Sequence, residues 1–436
     1  MTETPVVSAR PKSPLPDAVF ARRESVVRSY CRRFDRVFTS AHGSILVDTA
    51  GVEYVDFLAG AGALNYGHND PDMRAALVRY IESDGITHGL DLHTSAKADF
   101  LTTFERLVLT PRDLDYRVQF TGPTGTNAVE ASIKLARKIT GRTNIIAFTN
   151  GFHGVTSGAL AATGNGHHRM GPEQGLHGVT RMPFDGYLGP GVDTSELLAR
   201  MLADPSSGVD APAAILVEAV QGEGGLNAAS PSWLRSIAAI ARPHGALLII
   251  DDIQAGCGRS GTFFSFEESG IVPDLVTLSK SISGYGLPLA LLLIGPGLDR
   301  WTPGEHNGTF RGNQHAFVTA TVALEKFWSD GSLMVDVDRR AGIIRSSLAA
   351  TARRLPDARV KGRGMMQGLD VRDGRLATAV QEKCFAAKLV IETAGPHDEV
   401  IKVFAPLTTS DTLLSEGLDR LDTAVSQTLL AGGAVA

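Results

Sequence analysis

What most constrains this 436-residue chain is a set of short, mainly apolar runs that recur between helical segments. They stand at Asn144-Ile-Ile-Ala-Phe148, Ala213-Ala-Ile-Leu-Val217, Ala246-Leu-Leu-Ile-Ile250 and Leu275-Val-Thr-Leu278. Short apolar runs bounded by Gly-rich turns read as strands buried on both faces. Helical patterns, such as residues 129–139 and 232–241, separate them. Strands alternating with helices predict an α/β fold with a mainly parallel sheet covered on both sides. In open sheets of this kind, ligands bind outside the carboxyl ends of the strands. The residues just past each run are therefore the candidates for chemistry.

Two runs end in charged groups. The run through Ile250 stops at Asp251 and Asp252, and the run through Leu278 stops at Ser279 and Lys280. A lysine amine in a dry crevice can lose its proton and form a Schiff base with an aldehyde. Pyridoxal phosphate is held in this way and needs a carboxylate against its pyridinium nitrogen. Asp251 is the candidate for that carboxylate, and Lys280 for the aldehyde and for proton transfer. For a lone lysine or aspartate, a solvated turn position is the commoner outcome. The motifs around these two reverse that weighting.

Composition narrows the class. Hydrophobic residues at 43% and charged residues at 20% suit a soluble globular enzyme. A formal net charge of −5 gives no basic surface for nucleic acid. Cys31, Cys257 and Cys384 are too scattered for a disulfide framework or a structural zinc site, and fit a reducing cytoplasm. The first residues are rich in Pro, Ser and Thr without an apolar centre, which predicts a flexible arm over 1–18 rather than a targeting signal. The most apolar run, residues 287–294, is too short to span a membrane.

The remaining pattern predicts a helix over 22–33, a hairpin about Thr49-Ala-Gly51, and helices over 72–82 and 95–107. A strand is expected over 116–120, a long helix over 334–355, strands within 359–370 and a last helix over 410–430 with Ser410 as its cap. The Gly-rich segment 57–71 would let backbone approach something closely. His68 within it suits a structural hydrogen bond better than a ligand contact. No internal repeat is visible.

Several Gly-rich segments follow strands. Thr121-Gly-Pro-Thr-Gly-Thr-Asn127 joins a strand to a helix, and Gly125 and Thr126 stand where free backbone N–H groups and hydroxyls bind phosphate well. No Gly-Lys-Ser/Thr follows, so a Walker-type nucleotide loop is excluded. In Asn150-Gly-Phe-His-Gly154, Phe152 would lie over a cofactor ring or serve as core. Glu218, Gln221 and Glu223 lie past another strand, facing the pocket or solvent. Gln254 would contact the cofactor's phenolic oxygen, and Thr309 in Glu305-His-Asn-Gly-Thr-Phe-Arg-Gly-Asn313 would add a second phosphate donor. Gly256-Cys-Gly258-Arg-Ser-Gly261 matches a dinucleotide fingerprint in spelling only, because no convincing long helix follows it.

Taken together, the phosphate loop, Phe152-His-Gly, Glu218-x-x-Gln-Gly-Glu-Gly-Gly225, Asp251-Asp-Ile-Gln254, Ser279-Lys280 and Gly308-Thr-Phe-x-Gly-Asn313 resemble the class III, ornithine- and GABA-type aminotransferases. The resemblance runs from Ser29 to the last helix and is strongest to the ectoine-biosynthesis branch, on segments such as Asp84-Gly-Ile-Thr-His-Gly-Leu-Asp91. It implies a fold-type I pyridoxal 5′-phosphate enzyme: a smaller domain whose N-terminal segment is 19–85, a large cofactor domain over 86–330 and a C-terminal domain over 331–436. It implies a homodimer, with Thr309 reaching the partner's phosphate, and Glu223 and Lys402 in the substrate pocket. The implied reaction moves an amino group from L-glutamate to L-aspartate 4-semialdehyde. Ornithine, GABA, lysine or another amine is the alternative within the class; another pyridoxal reaction, or a non-catalytic binding protein on the same fold, lies further off. Departures from the class pattern fall at Gly89, His93, Ala219 and Gln314, and at Lys402, where many members have arginine.

Overall fold

The computed structural model describes residues 16–169 and 175–433. Three strands come first: β1 (Phe38–His42), β2 (Ile45–Asp48) and β3 (Glu53–Asp56). The expected hairpin joins β2 and β3, whose pairing is antiparallel. Asp48 closes its turn, with Oδ1 accepting the N–H groups of Ala50 and Val52 at 2.9 Å each. His68 is structural, its Nε2 lying 2.7 Å from Asp56 Oδ2.

The large sheet follows: β4 (Arg117–Phe120), β5 (Asn144–Phe148), β6 (Val179–Met182) and β7 (Pro212–Val217). After a short ribbon of β8 (Val220–Gln221) and β9 (Asn227–Ala228) come β10 (Leu247–Asp251), β11 (Leu275–Leu278) and β12 (Leu291–Ile294). The order is β4-β12-β11-β10-β7-β5-β6. Strands β6, β5, β7, β10 and β11 are parallel, and β12 runs against both β11 and β4. Every residue of β5, β7, β10 and β11 is buried, as continuous apolar runs require when helices cover both faces.

The C-terminal part carries β13 (Arg359–Arg363), β14 (Met366–Asp370), β15 (Leu389–Val390), β16 (Glu392–Ala394) and β17 (Val400–Val403). β15 pairs with β3 in parallel, so residues from both ends of the chain share one sheet. The other four form a separate sheet in the order β13-β14-β17-β16.

Several expectations are corrected. The helix expected over 22–33 is two helices, Pro16–Arg23 and Tyr30–Arg33. Val26 and Val27 are 84% and 86% exposed, so no apolar face holds the intervening turn in a helix. Arg32 instead donates to the free carbonyls of Arg28 and Val26. The helix over 95–107 is α-helical only over Ser95–Phe104 and widens to a π-turn at Glu105–Leu109. The helix over 334–355 is Ser332–Ala352, and the last helix is Asp411–Gly433, with Ser410 Oγ accepting the Leu413 N–H. The arm expected over 1–18 lies, up to residue 15, outside the described residues. Among the described residues, no helix is long and apolar enough to cross a membrane.

Candidate active site

The loops past the carboxyl ends of β5, β7, β10 and β11 come together, and most of the groups singled out in the sequence meet there. Asp251 is the last residue of β10 and is 4% exposed. Its Oδ1 accepts from Thr277 Oγ1 at 3.1 Å and from the Ile253 N–H at 3.3 Å. Its Oδ2 lies 2.7 Å from Nδ1 of the buried His153. Burial works against a charge on His153, but Asp251 outweighs it and raises the basicity of the imidazole. The carboxylate thus strengthens this bond in a dry setting.

Lys280 follows β11 in a backbone conformation with φ +50°, costly for a residue with a side chain. Strain of this kind persists where the surroundings fix it, and it turns the lysine into the crevice. Its Nζ donates to the Ala61 carbonyl at 2.8 Å. Burial lowers its basicity, with Glu223 pulling the other way. An amine that sheds its proton more readily is a better nucleophile and proton carrier.

Gln254 bridges the two sides, its Nε2 donating to Ala61 O and to Glu223 Oε1 at 3.0 Å each. Its buried Oε1 has no partner. It lies close against Gly222, where a Cβ would stand 1.6 Å from that oxygen and force the amide to move. Glu223 also pairs with Lys402 at 3.1 Å, and Lys402 pairs with Glu392 at 2.7 Å. Burial opposes the charge on Glu223, yet Lys402 and Lys280 hold its carboxyl down at about 2. Lys402 is fully buried; its two acids hold its ammonium well above the ordinary value despite the desolvation. Replacing Lys402 by methionine is expected to destabilise the protein by about 3 kcal/mol, because it leaves the buried Glu392 without its cation. Urea unfolding of the two proteins checks this, and equal midpoints would contradict it.

The loop after β4 has the expected turn into a helix, which begins at Gly125, earlier than the apolar pattern alone marks. Thr124 and Asn127 form a reciprocal capping box there. A Cβ on Gly125 would meet Ile253 Cδ1 at 2.9 Å, so this turn is packed directly on the segment after Asp251. Thr126 Oγ1 lies 2.9 Å from Thr156 Oγ1. Phe152 is partly exposed, and Glu218 fixes its backbone, with Oε1 accepting the Phe152 N–H at 2.8 Å. Thr309 stands apart from this cluster on an exposed loop.

Three groups went unassigned in the sequence. His153 was part of a quoted motif without a role. Ala61 contributes only its carbonyl, which no side-chain pattern marks. Glu392 lies opposite Lys402 only through the register of β16 and β17. Gly89 and Gln314, noted separately as departures, form one feature: a Cβ at Gly89 would meet Gln314 Nε2 at 2.5 Å. Thr94 fixes that amide by donating to Gln314 Oε1 at 2.7 Å. His93 is exposed.

The class-III aminotransferase family model matches residues 28–425. The chain belongs to that family. Over 409 residues it is 57% identical to the diaminobutyrate–2-oxoglutarate transaminase of Vibrio parahaemolyticus, covering 93% of this chain and 97% of the relative. Its identity to the Vibrio cholerae protein of the same name is 56% over 402 residues, covering 92% and 97%. Among solved structures, the ornithine aminotransferase of Toxoplasma gondii, described with partial occupancy of PLP at its active site, has a TM-score of 0.81 at 25% identity, covering 95% of this chain and 94% of that one.

Class III aminotransferases work with pyridoxal 5′-phosphate, and the residues present fit it. The crevice offers an amine of lowered basicity on Lys280, a buried carboxylate on Asp251 and the N-terminus of the helix that begins at Gly125. Among the described residues no cluster of side chains suits a metal ion.

Proposed function

We propose that this aminotransferase moves an amino group from L-glutamate to L-aspartate 4-semialdehyde, giving L-2,4-diaminobutyrate and 2-oxoglutarate as a step of ectoine biosynthesis. The similarity to transaminases of that name above 50% identity, over more than nine-tenths of the chain, carries the reading. The Glu223–Lys402–Glu392 cluster supports it, because amino-acid substrates bring both an ammonium and carboxylates into the pocket.

Pyridoxal phosphate, when bound, supplies an aldehyde that condenses with amines and a ring that accepts the electrons left by a departing proton. The residues of the chain do the rest. Lys280 would hold the aldehyde, and its amine would move the proton at the substrate carbon that bears nitrogen. Asp251 would keep a proton on the ring nitrogen, with His153 and Thr277 keeping Asp251 aimed. Gly125 and Thr126 would hold the phosphate, Phe152 would lie against the ring, and Gln254 would hold the phenolic oxygen. Lys402 receives a substrate carboxylate as a point charge, since an ammonium lacks the two-pronged geometry of arginine.

The same reading takes the protein as a cytoplasmic homodimer in which Thr309 reaches the partner subunit's phosphate site. It divides the chain into an arm (1–18), an N-terminal segment (19–85), a cofactor domain (86–330) and a C-terminal domain (331–436).

The half-reaction tests the substrate. Pyridoxal phosphate-loaded protein is mixed separately with 2,4-diaminobutyrate, ornithine, 4-aminobutyrate, lysine and glutamate, and the visible band of the lysine-bound cofactor is followed. Rapid loss of the band with diaminobutyrate and glutamate is the expected result. Rapid loss with another amine, and none with diaminobutyrate, would move the enzyme to a different pathway.

A further inference from the structure

Glu392 opens β16 and lies directly opposite Lys402 of β17 in the antiparallel register. It is 3% exposed, and its Oε1, although 2.7 Å from Lys402 Nζ, has no hydrogen bond of acceptable geometry. Lys402 is already neutralised by Glu223 at 3.1 Å. Gln254 ties that glutamate to the Ala61 carbonyl, which also receives Lys280. Lys402 thus faces two acids, and Lys280 acts on both of them electrostatically. Leaving a buried carboxylate oxygen without a hydrogen bond is costly. Burial pushes the carboxyl of Glu392 up, against the pull of Lys402. The buried, unpartnered oxygen is therefore set to gain from a hydrogen-bond donor brought in from outside.

A diamine acid reacting through its distal amine brings such a donor. When the γ-amine of 2,4-diaminobutyrate reacts, one carbon at its far end carries both an ammonium and a carboxylate. A matching receptor needs an acid and a base side by side, and the Glu392–Lys402 pair has that form. We propose that Glu392 is a specificity-determining residue that receives the α-ammonium of 2,4-diaminobutyrate while Lys402 receives its α-carboxylate. The inference rests on the substrate reading given above. Glu223 is the less suitable receptor, because Lys402 and Gln254 already engage its Oε1.

The alternative is that Glu392 only keeps Lys402 in place across the two strands. 4-Aminobutyrate separates the two, having the same reacting amine, chain length and carboxylate but no α-ammonium. In the half-reaction of the holoenzyme, the wild type is expected to prefer diaminobutyrate to 4-aminobutyrate by about tenfold or more in kcat/KM, the worth of one charged hydrogen bond. Glu392→Gln should shrink that preference by a similar factor, through KM more than kcat. Glu392→Asp should restore part of it. If the variant slows both amines equally, Glu392 merely positions Lys402 and the proposal falls. Equal use of both amines by the wild type would overturn it with no variant needed. No conversion of diaminobutyrate by the wild type would instead overturn the substrate reading, and this inference with it.

Discussion

Lys280→Ala is expected to reduce steady transamination by at least about 10²–10⁴-fold, the usual worth of a positioned proton carrier. Loss of the covalent attachment point should deepen the defect, and the visible band of the lysine-bound cofactor should disappear. The fold should survive. The Lys280 side chain is only partly buried, and its one hydrogen bond runs to the carbonyl of Ala61. The residues before it in β11, Leu275 to Leu278, are wholly buried and hold the strand without its help. Alanine would still bear the left-handed backbone at φ +50°, so the variant removes the amine without relieving the turn. Turnover with glutamate and a keto acid, read beside the melting temperature, separates the two effects. A variant that melts like the wild type and turns over within tenfold of it would remove Lys280 from the chemistry.

That lysine was legible because a buried strand announces its own end. An apolar run that stops at a charge marks the rim of the sheet, so Asp251 and Lys280 could be placed in one crevice from spacing alone. The partners of those residues were less legible. His153 is 98 residues from Asp251 in sequence, and only the order of β5, β7 and β10 brings them together. Glu392 was invisible for the same reason: its meaning comes from the register of two short strands. Residues 24–29 misled in the opposite way. Their charges suit a helix, but propensity without an apolar face to bury does not hold one in water. Gly89 and Gln314 were each visible as departures. Their steric dependence appears only when a Cβ built on one is found inside the amide of the other.

Asp251→Asn is expected to cost about 10²-fold or more in kcat with little change in fold, the scale on which removal of one preorganised electrostatic group acts. Asparagine has nearly the same shape, so the bonds to Oδ1 from Thr277 and the Ile253 N–H can persist. The charge is what goes. A neutral amide cannot keep a proton on the ring nitrogen, and without that proton the ring is a poorer electron acceptor. The substitution also disturbs His153. Its Nδ1 lies 2.7 Å from Oδ2 as the proton-bearing partner of a carboxylate, and an amide NH₂ in that place would set two donors against each other. Either the amide turns and gives up Thr277, or the imidazole loses its proton. His153→Ala should therefore be the milder change, since Asp251 keeps its charge and two of its donors. The order expected in kcat is wild type, His153→Ala, then Asp251→Asn, measured with cofactor at saturation so that loss of binding does not masquerade as loss of rate. If Asp251→Asn kept a rate within a few-fold of wild type, the pyridinium role would have to pass to another buried acid. Glu218 would be the first to test, because it is buried and its carboxyl feels the same His153.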